Sequence, residues 1–221
     1  MQERYNVLDH GYVQYVDHMG NDSSIVKSAR VSYNDKGKST DEKLINYLKK
    51  NHHNTPFESC VVTFEIKAPI FVVRQWHRHR TQSYNEISAR YTELPEEFYI
   101  PEAAQITTQS KENKQMRTED QNLYSEQIRE IMEVSNTEAF KVYKDLLELG
   151  TPRELARSVL PVGTYTRMFA TANLHNWFHF LTLRLHEHAQ YEVRVYAEKI
   201  LEILKELYPV STQAFITHQL K

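Results

Sequence analysis

Residues 60–76, CVVTFEIKAPIFVVRQW, decide the fold class, because they place a strand pattern directly before a helix start. From Cys60 to Ile66 the side chains alternate and are rich in β-branched residues, which predicts a strand. Pro69 then offers the first position of a short helix through Trp76. The β-branched residues in this last part leave a second strand as the alternative.

The residues ahead of this stretch predict one strand and two helices. Tyr12 to Val16 alternates like a strand. Ser24 to Tyr33 and Thr40 to Lys50 have helical patterns. Thr40 is the expected N-cap of the second helix, although Lys43 stands where a capping-box glutamate would, so only half of that box is present.

The residues after this stretch predict a long loop and then helices. Leu94 to Gln115 carries two prolines and many polar residues, and we expect an excursion within one domain. Apolar residues from Ile128 to Leu147 recur with a helical period, and Gly150 is expected to end that helix.

Thr151 and Pro152 then predict the N-cap and first position of another helix, which Pro161 ends. The last helices are expected from about Tyr165 to Tyr208. Strand patterns first and helix patterns later predict an α+β fold. We expect a single domain over residues 1–221.

The composition excludes several classes of protein. The 221 residues include 27 Lys and Arg against 29 Asp and Glu, which argues against a surface devoted to nucleic acid or anionic membrane. Five glycines, none closer than nine residues to the next, leave no room for a dinucleotide-binding G-x-G-x-x-G or a P-loop. With Cys60 as the single cysteine, intramolecular disulfides and Cys-x-x-Cys sites are excluded. No signal peptide or membrane-length apolar run is evident, so we expect a cytoplasmic protein.

The segment 74–91, RQWHRHRTQSYNEISARY, concentrates the groups that could carry chemistry. It holds four arginines beside hydroxyl and amide side chains. Arginine presents a fixed fork of donors that matches phosphate and carboxylate groups. Interleaved aromatic residues and the preceding apolar segment favour a binding surface over a merely solvated basic face.

This segment also carries a resemblance to a known family. Arg78-His79-Arg80, seven further residues and then Ser88 resemble the signature of the flavin-dependent thymidylate synthases. Four other blocks resemble that family in the same order and spacing between about residues 50 and 195. They are His53 to Glu58 (H-x-T-P-F-E), Ala68 to Trp76 (A-P-I-F-V-x-R-Q-W), Ala156 to Pro161 (A-R-x-x-L-P), and Leu183-Arg184 followed by His188 to Glu192 (L-R, H-A-Q-x-E).

The resemblance implies a fold, a reaction and an assembly. The implied fold is α+β, with an antiparallel or mixed sheet flanked by helices and a helix-rich C-terminal half. The implied assembly is a homotetramer whose active sites lie between subunits, with no nucleic-acid or membrane partner. The implied reaction is the reductive methylation of dUMP to dTMP in nucleotide biosynthesis. Methylenetetrahydrofolate gives the carbon, FAD is the redox cofactor, and NADPH reduces the flavin.

The residue types give the most information about one step of the implied reaction, the activation of the pyrimidine. Uracil C5 is a poor nucleophile, and other thymidylate synthases activate it by adding a thiolate to C6. Cys60, the only thiol, lies outside the matching blocks, and we expect a structural role for it. Activation must then be electrostatic, through a fixed cation near the ring. By resemblance that cation is the catalytic Arg184; an ion pair with Glu187 is the structural alternative.

The remaining site residues are carried over from the resemblance. Ser88 lacks an adjacent general base, so it is expected to donate its hydroxyl to the substrate phosphate rather than act as a nucleophile. His53 is expected near the folate and flavin rings. The dUMP-binding set is Gln75, Arg78, Glu86, Ser88, Arg90, Arg157 and Arg184. The FAD-binding set is Thr55, Arg78, His79, Arg80, Glu86, Asn173, His175 and His179, where Arg78 and Glu86 stand between substrate and flavin.

One departure from the family pattern concerns the cofactor. After Asn173 the family commonly has Ala-Arg, whereas this chain has Leu174 and His175. A permanent cation is thereby replaced by a side chain that titrates near neutral pH. If His175 faces FAD, we expect weaker or pH-dependent flavin binding.

Two alternatives remain open from the sequence. His175, His179 and His186 are spaced i, i+4, i+11, and on one helix face such histidines could hold zinc. We nevertheless predict that the protein has no metal site, because ligation also needs a second shell that fixes the histidines. Arginines interleaved with aromatic residues could instead follow a single nucleic-acid strand. The near-neutral net charge counts against that second alternative.

Overall fold

A five-stranded antiparallel sheet is the centre of the computed structural model, which describes residues 4–31 and 40–220. Its strand order is β1-β2-β3-β7-β4, and a separate hairpin pairs β5 with β6. The strands are β1 (Arg4–Val7), β2 (Gly11–Met19), β3 (Val61–Pro69), β4 (Ser83–Glu86), β5 (Thr107–Gln109), β6 (Arg117–Gln121) and β7 (Tyr165–Asn173). The predicted α+β class with a sheet flanked by helices is confirmed.

The α-helices of the described residues follow mostly in the second half of the chain. They are α1 (Asp22–Arg30), α2 (Asp41–Lys50), α3 (Ile70–Trp76), α4 (Ser125–Glu148), α5 (Arg153–Ala156), α6 (Leu174–Arg184), α7 (Tyr191–Leu207) and α8 (Pro209–His218). Within those ranges, no helix has both the length and the apolar character that a bilayer crossing requires.

The main core lies between one face of this sheet and the helices α3, α6 and α7. Alternate residues of β3 are fully buried, from Val62 to Ala68, while their neighbours are half-buried. Trp76 and Trp177 fill the space over this face, and each indole N–H has an acceptor: Gln82 Oε1 at 3.0 Å and the Val62 carbonyl oxygen at 3.1 Å. A buried indole needs such a partner to avoid the cost of an unpaired donor.

Residues 165–173 correct our expectation for the last part of the chain. We expected helix from about Tyr165, but YTRMFATAN forms β7, which pairs along its whole length with β3 and on its other side with β4. Pairing on both sides stabilises this strand, and it buries Met168, Ala170 and Ala172 on one face of the sheet. The chain turns helical at Leu174, where Asn173 caps α6 by accepting from Asn176 N at 2.9 Å.

Other expectations also need correction. The expected loop from Leu94 to Gln115 contains a 3₁₀ turn and β5, and β6 follows directly as its hairpin partner. The alternative of a second strand after β3 is wrong, since Ile70 to Trp76 is helical. Pro69 and Pro152 each stand one residue before their helix, as N-caps, and not at its first position. The helix expected over Ser24 to Tyr33 runs from Asp22 to Arg30, and its last two expected positions lie outside the described residues.

The helix-end signals at Thr40 and Gly150 are confirmed. Lys43 N donates to Thr40 Oγ1 at 3.4 Å, so Thr40 is the N-cap of α2. Gly150 has a φ of +81°, and its N–H donates to Leu147 O while Thr151 N donates to Leu146 O. That pair of bonds is the Schellman motif, which favours glycine at this left-handed position.

Candidate functional site

The basic segment 74–91 folds as the end of α3, a tight turn and the edge strand β4. Of its four arginines, only Arg90 forms a salt bridge within residues 4–31 and 40–220, with Glu154 at 3.2 Å. Arg74, Arg78 and Arg80 are exposed. Guanidinium groups without a carboxylate partner keep their donors available for an anionic ligand.

A cleft of about 670 Å³, which we call the arginine cleft, lies where the residues after β4 meet the turn after α5. It brings together three of the predicted dUMP-binding residues, Glu86, Ser88 and Arg157. Arg74 of α3 also lines it, although sequence reasoning gave Arg74 no individual role. Two guanidinium groups and a hydroxyl make this cleft suitable for a phosphate.

Contacts at the rim of the arginine cleft fix the strand end. Thr166 Oγ1 of β7 donates to Glu86 Oε1 at 2.6 Å, and Arg90 N donates to Ser88 Oγ at 3.3 Å. The register of β4 against β7, with Glu86 opposite Met168, places Glu86 near Thr166. Arg90 itself does not line the cleft but is tied to Glu154, which does.

Arg184, at the last position of α6, is half-buried and held in place by two hydrogen bonds. Its Nε donates to His79 Nε2 at 2.9 Å, and its Nη2 donates to the Gln75 carbonyl oxygen at 3.0 Å. Burial lowers the pKa of Arg184 from its usual range, with Tyr84 acting in the opposite sense, but arginine remains charged at neutral pH. The alternative ion pair with Glu187 is absent among the described residues, where Glu187 contacts His188 at 3.7 Å.

His79 is a neutral acceptor in this arrangement. Burial is the main cause that lowers the pKa of His79 to about 4, and the neighbouring Arg184 and His179 add to it. At neutral pH its Nε2 lone pair can therefore receive the Arg184 N–H. The centroid of the His79 ring lies 6.4 Å from that of His179, which is exposed on α6. His79 is therefore a neighbour of both Arg184 and His179.

A second cleft, of about 450 Å³, lies against α6 and contains two of the three histidines predicted to bind FAD. We call it the histidine cleft; it is lined by His52, Asn54, His175, Phe178, His179, Thr182, His218 and Gln219. Asn54 Oδ1 is buried and has no hydrogen-bond partner among the described residues. A buried amide oxygen without a donor is rare in a complete site and indicates a place for a ligand group.

Burial also affects the charge of His175. Desolvation lowers its pKa, followed by the neighbouring Lys49, while Glu58 opposes the shift. His175 is therefore neutral near pH 7, unlike the arginine common at this position in the family.

Two further predicted site residues flank Asn54. Thr55 begins the 3₁₀ turn after Asn54, and the exposed His53 packs edge-on against Tyr47, with 5.7 Å between the ring centroids.

Cys60 is fully buried immediately before β3 and lines neither cleft. Its Sγ lies 3.6 Å from the Asn21 carbonyl oxygen, and burial raises the pKa of the thiol. A protonated, enclosed thiol is a poor nucleophile.

Within one chain eight of the predicted site residues fall into three groups. Glu86, Ser88 and Arg157 share the arginine cleft; His175 and His179 share the histidine cleft; Gln75, His79 and Arg184 are joined by hydrogen bonds. Arg74 and Gln75 are neighbours on α3, and the 100° turn between successive helix residues directs them to different groups. Neither the arginine cleft nor the histidine cleft is lined by a residue of the other two groups.

Sequence reasoning missed the polar residues that hold these groups. Gln190 and Glu192 stand in the matching H-A-Q-x-E block, which was a usable signal, but the sequence gave them no partner. Arg117 and Thr166 carried no signal, because each acts through a contact between distant parts of the chain.

The spacing of the three histidines does not describe one helix face. His175 and His179 lie on α6, but α6 ends at Arg184, so His186 lies in the turn before α7. Its ring is tilted by 41° against the His188 ring, with 4.9 Å between the centroids. Across residues 4–31 and 40–220, no group of three or more His, Cys, Asp or Glu side chains is placed to hold a metal ion. The zinc alternative therefore has no geometric support in this region.

Comparisons with known proteins bear directly on the resemblance. A family model described as thymidylate synthase complementing protein matches residues 14–210. Over 217 residues the chain is 49% identical to a flavin-dependent thymidylate synthase of Thermus thermophilus, covering 97% of this chain and 79% of the relative. The corresponding protein of Wolbachia pipientis wMel is 47% identical over 225 residues, which cover 100% of this chain and 79% of the relative. This chain belongs to the flavin-dependent thymidylate synthase family.

This family member also resembles solved structures along almost its full length. One is a UMP/dUMP methylase, PolB from Streptomyces cacaoi, bound with 5-Br dUMP. It has a TM-score of 0.86 and 36% identity, and the match covers 96% of this chain and 97% of that one. The same protein bound with 5-Br UMP gives a TM-score of 0.88 at 37% identity, covering 97% and 98%.

Proposed function

We propose that this flavin-dependent thymidylate synthase family member converts dUMP to dTMP, with methylenetetrahydrofolate as carbon donor and FAD reduced by NADPH. We place it in the cytoplasm as a homotetramer. The observation that carries the proposal is Arg184, a half-buried cation held by a neutral His79 and the Gln75 carbonyl oxygen. Such a fixed cation is suited to stabilise negative charge on a pyrimidine ring.

Arg184 supplies the electrostatic part of the reaction. A guanidinium beside N3, O2 or O4 of uracil stabilises negative charge there and raises the electron density at C5. Two of its five N–H donors are used by His79 and Gln75, which leaves others for the ring. The two protein bonds fix the guanidinium before the substrate arrives, so little reorganisation is needed at the moment of reaction.

The arginine cleft is the proposed site of the substrate phosphate. Arg157 and Ser88 supply charge-assisted and hydroxyl hydrogen bonds, and Arg90 stands at the rim. Arg74 joins this set on the evidence of its position in the cleft. Glu86 and Arg78 stand between substrate and flavin in the proposed arrangement.

The residues present fit FAD without a glycine-rich loop. The unpaired amide oxygen of Asn54 and the histidines of the histidine cleft offer hydrogen-bonding positions, and Arg78 and Arg80 offer free charge for a diphosphate. We place Thr55, Asn173, His175 and His179 in this set, with His53 near the rings. When bound, FAD supplies the reducing equivalents that turn the transferred carbon into a methyl group.

Assembly would bring the separated groups together. Phosphate-binding and ring-binding residues lie in different groups within one chain, and a site shared between subunits resolves that separation. Large apolar side chains are exposed beside the arginine cleft and on the sheet, including Leu155, Val162 and Phe169. Apolar residues exposed in one chain are typical of surfaces that are covered by a second copy.

The first experiment is a spectrum. The purified protein is mixed with FAD, desalted and recorded from 350 to 550 nm, roughly the range of flavin absorption, with and without dUMP. We expect retained flavin bands that shift on addition of dUMP, followed by dTMP formation when methylenetetrahydrofolate and NADPH are added. UMP is titrated in parallel, because the PolB structures hold analogues of both nucleotides.

Failure of this experiment has a definite meaning. A protein that keeps no flavin and ignores dUMP would contradict the proposed function. If the protein retains flavin but its spectrum responds to UMP alone, the flavin-dependent methylation would still be supported, but the substrate would be UMP and not dUMP.

Replacing Cys60 with alanine should leave dTMP formation within about twofold of the wild type. The buried thiol has a raised pKa and touches neither cleft, so it cannot act as the nucleophile. We expect a loss of about 1 kcal/mol in the free energy of unfolding from the small cavity. Steady-state kinetics and urea unfolding measure the two effects; complete loss of turnover in a folded Cys60→Ala protein would contradict electrostatic activation.

Replacing His175 with arginine should tighten FAD binding by about tenfold at pH 7.5. Burial lowers the pKa of His175, so the wild-type side chain is neutral there, whereas arginine adds one charge-assisted bond to the diphosphate. Wild-type affinity should rise as the pH falls through that lowered pKa, and the variant should lose this dependence.

The control for this prediction is His186→Arg, which adds the same charge in the turn after α6, outside the histidine cleft. Flavin fluorescence titrations give the dissociation constants at each pH. An unchanged or larger dissociation constant for His175→Arg would show that His175 does not face the cofactor.

A further inference from the structure

The H-A-Q-x-E block contains a hydrogen-bonded chain to which the proposed reaction gives no role. Gln75 Nε2 donates to Gln190 Oε1, and Gln190 Nε2 donates in turn to Glu192 Oε2 at 2.8 Å. Gln190 is exposed, whereas Glu192 is only 3% exposed. This series of hydrogen bonds therefore links the buried carboxylate of Glu192 to the side chain of Gln75, a residue of the proposed dUMP-binding set.

Glu192 is anchored from a third part of the molecule. Arg117 Nη2, on the hairpin strand β6, lies 2.7 Å from both carboxylate oxygens of Glu192. Arg117 Nη1 donates to the Gln105 carbonyl oxygen at 2.8 Å, and the Tyr99 hydroxyl donates to Glu192 Oε1 at 3.3 Å. A buried carboxylate with these donors is fixed in orientation, because any rotation would break a charge-assisted bond.

We infer that Gln190, oriented by the Arg117–Glu192 pair, is a positioning residue that sets the Gln75 side chain for the nucleotide. An amide has two N–H donors and one acceptor oxygen, and the bond to Gln190 decides which edge of Gln75 is left for a ligand. Gln75 thus contacts Gln190 through its side chain and Arg184 through its main-chain carbonyl. The inference rests on the proposed function and gives a role to the segment between residues 95 and 120.

A double-mutant cycle tests the positioning role. Gln190→Ala should raise the dissociation constant for dUMP about fivefold to tenfold, the usual effect of one lost hydrogen bond. In a Gln75→Ala background the same change should have no further effect, because Gln190 acts only through Gln75. Flavin retention and the unfolding midpoint should stay at wild-type values, since Gln190 is exposed and the carboxylate of Glu192 keeps its bonds from Arg117 and Tyr99.

Two further variants separate positioning from structure. Glu187→Gln, in the same turn, alters a side chain that contacts His188 and is the matched control expected to bind dUMP normally. Glu192→Gln keeps the shape but removes the charge that holds Arg117, and it should weaken dUMP binding in the wild-type background and much less in the Gln75→Ala background.

Dissociation constants come from the flavin spectrum titrated with dUMP. Wild-type-like dUMP binding by Gln190→Ala, or equal losses in both backgrounds, would overturn the positioning role while leaving the proposed function intact. A wild-type protein that does not bind dUMP at all would overturn the proposed function and this inference together.

Discussion

Replacing Arg184 with alanine should lower kcat for dTMP formation by at least about 10³-fold, in a protein that still folds and binds FAD. The physical reason is that no thiol is available to activate C5, so negative charge on the pyrimidine depends on this guanidinium. His79 and the Gln75 carbonyl fix the group in advance, and its half-buried position strengthens its field relative to a solvated cation. The measurement is single-turnover formation of dTMP from the reduced, dUMP-loaded enzyme.

Arg184→Lys refines this prediction. Lysine keeps the charge but has no planar fork, so it cannot bond His79, the Gln75 carbonyl and the ring in the same geometry. We expect the kcat of Arg184→Lys to fall between those of the wild type and Arg184→Ala. Arg129→Ala, on α4, removes a partly exposed arginine that pairs with Glu126 and should leave turnover unchanged. Near-normal turnover by Arg184→Ala would remove this residue from the reaction and leave pyrimidine activation without a cation.

Replacing Gly11 with alanine should lower the free energy of unfolding by about 3 kcal/mol, the upper part of the range for overpacking. A Cβ on Gly11 would clash with the Tyr196 hydroxyl and would lie 2.7 Å from the Val7 carbonyl oxygen and 2.9 Å from that of Lys67. Two of these neighbours are backbone atoms of paired strands, so they cannot move aside cheaply. The Tyr196 hydroxyl would also lose its bond to Lys67 O, now 2.8 Å long.

Gly163→Ala is the matched control for the Gly11 prediction. Its Cβ would meet only the Tyr99 backbone, at 3.8 Å or more, and its φ is not positive. We expect a change within about 0.5 kcal/mol. Urea unfolding of the two variants measures both values. Equal stabilities for Gly11→Ala and Gly163→Ala would mean that the strand pair opens to admit the methyl group.

Structural elements could be predicted from the sequence where they depend on residues close together along the chain. The cap at Thr40 and the Schellman end at Gly150 are set within one helical turn, and both were predicted correctly. The strand before Pro69 was also evident, because its alternation is strong over seven residues. The prediction of helix over residues 165–173 is wrong, because their β character becomes decisive only when β3 and β4 pair on both sides.

The chemical groups of the candidate site were also predictable, but their arrangement was not. The run of arginines over residues 74–91 and the single cysteine follow from the residue types alone. The exposure of Arg74, Arg78 and Arg80 and the complete burial of Cys60 are features of the structure. Sequence alone could not place Arg184 against His79 and Gln75, which lie 105 and 109 positions away along the chain.

The sequence by itself therefore determined the α+β class, the helix ends at Thr40 and Gly150, the family and the absence of a glycine-rich phosphate loop. These depend on residue identity and on neighbours within a few positions. Only the tertiary structure decided that β7 lies inside the sheet, that Arg184 is held by a neutral histidine, and that Arg117 reaches Gln75 through Glu192 and Gln190. Those contacts form when distant segments are buried together, and burial fixes both their geometry and their charge.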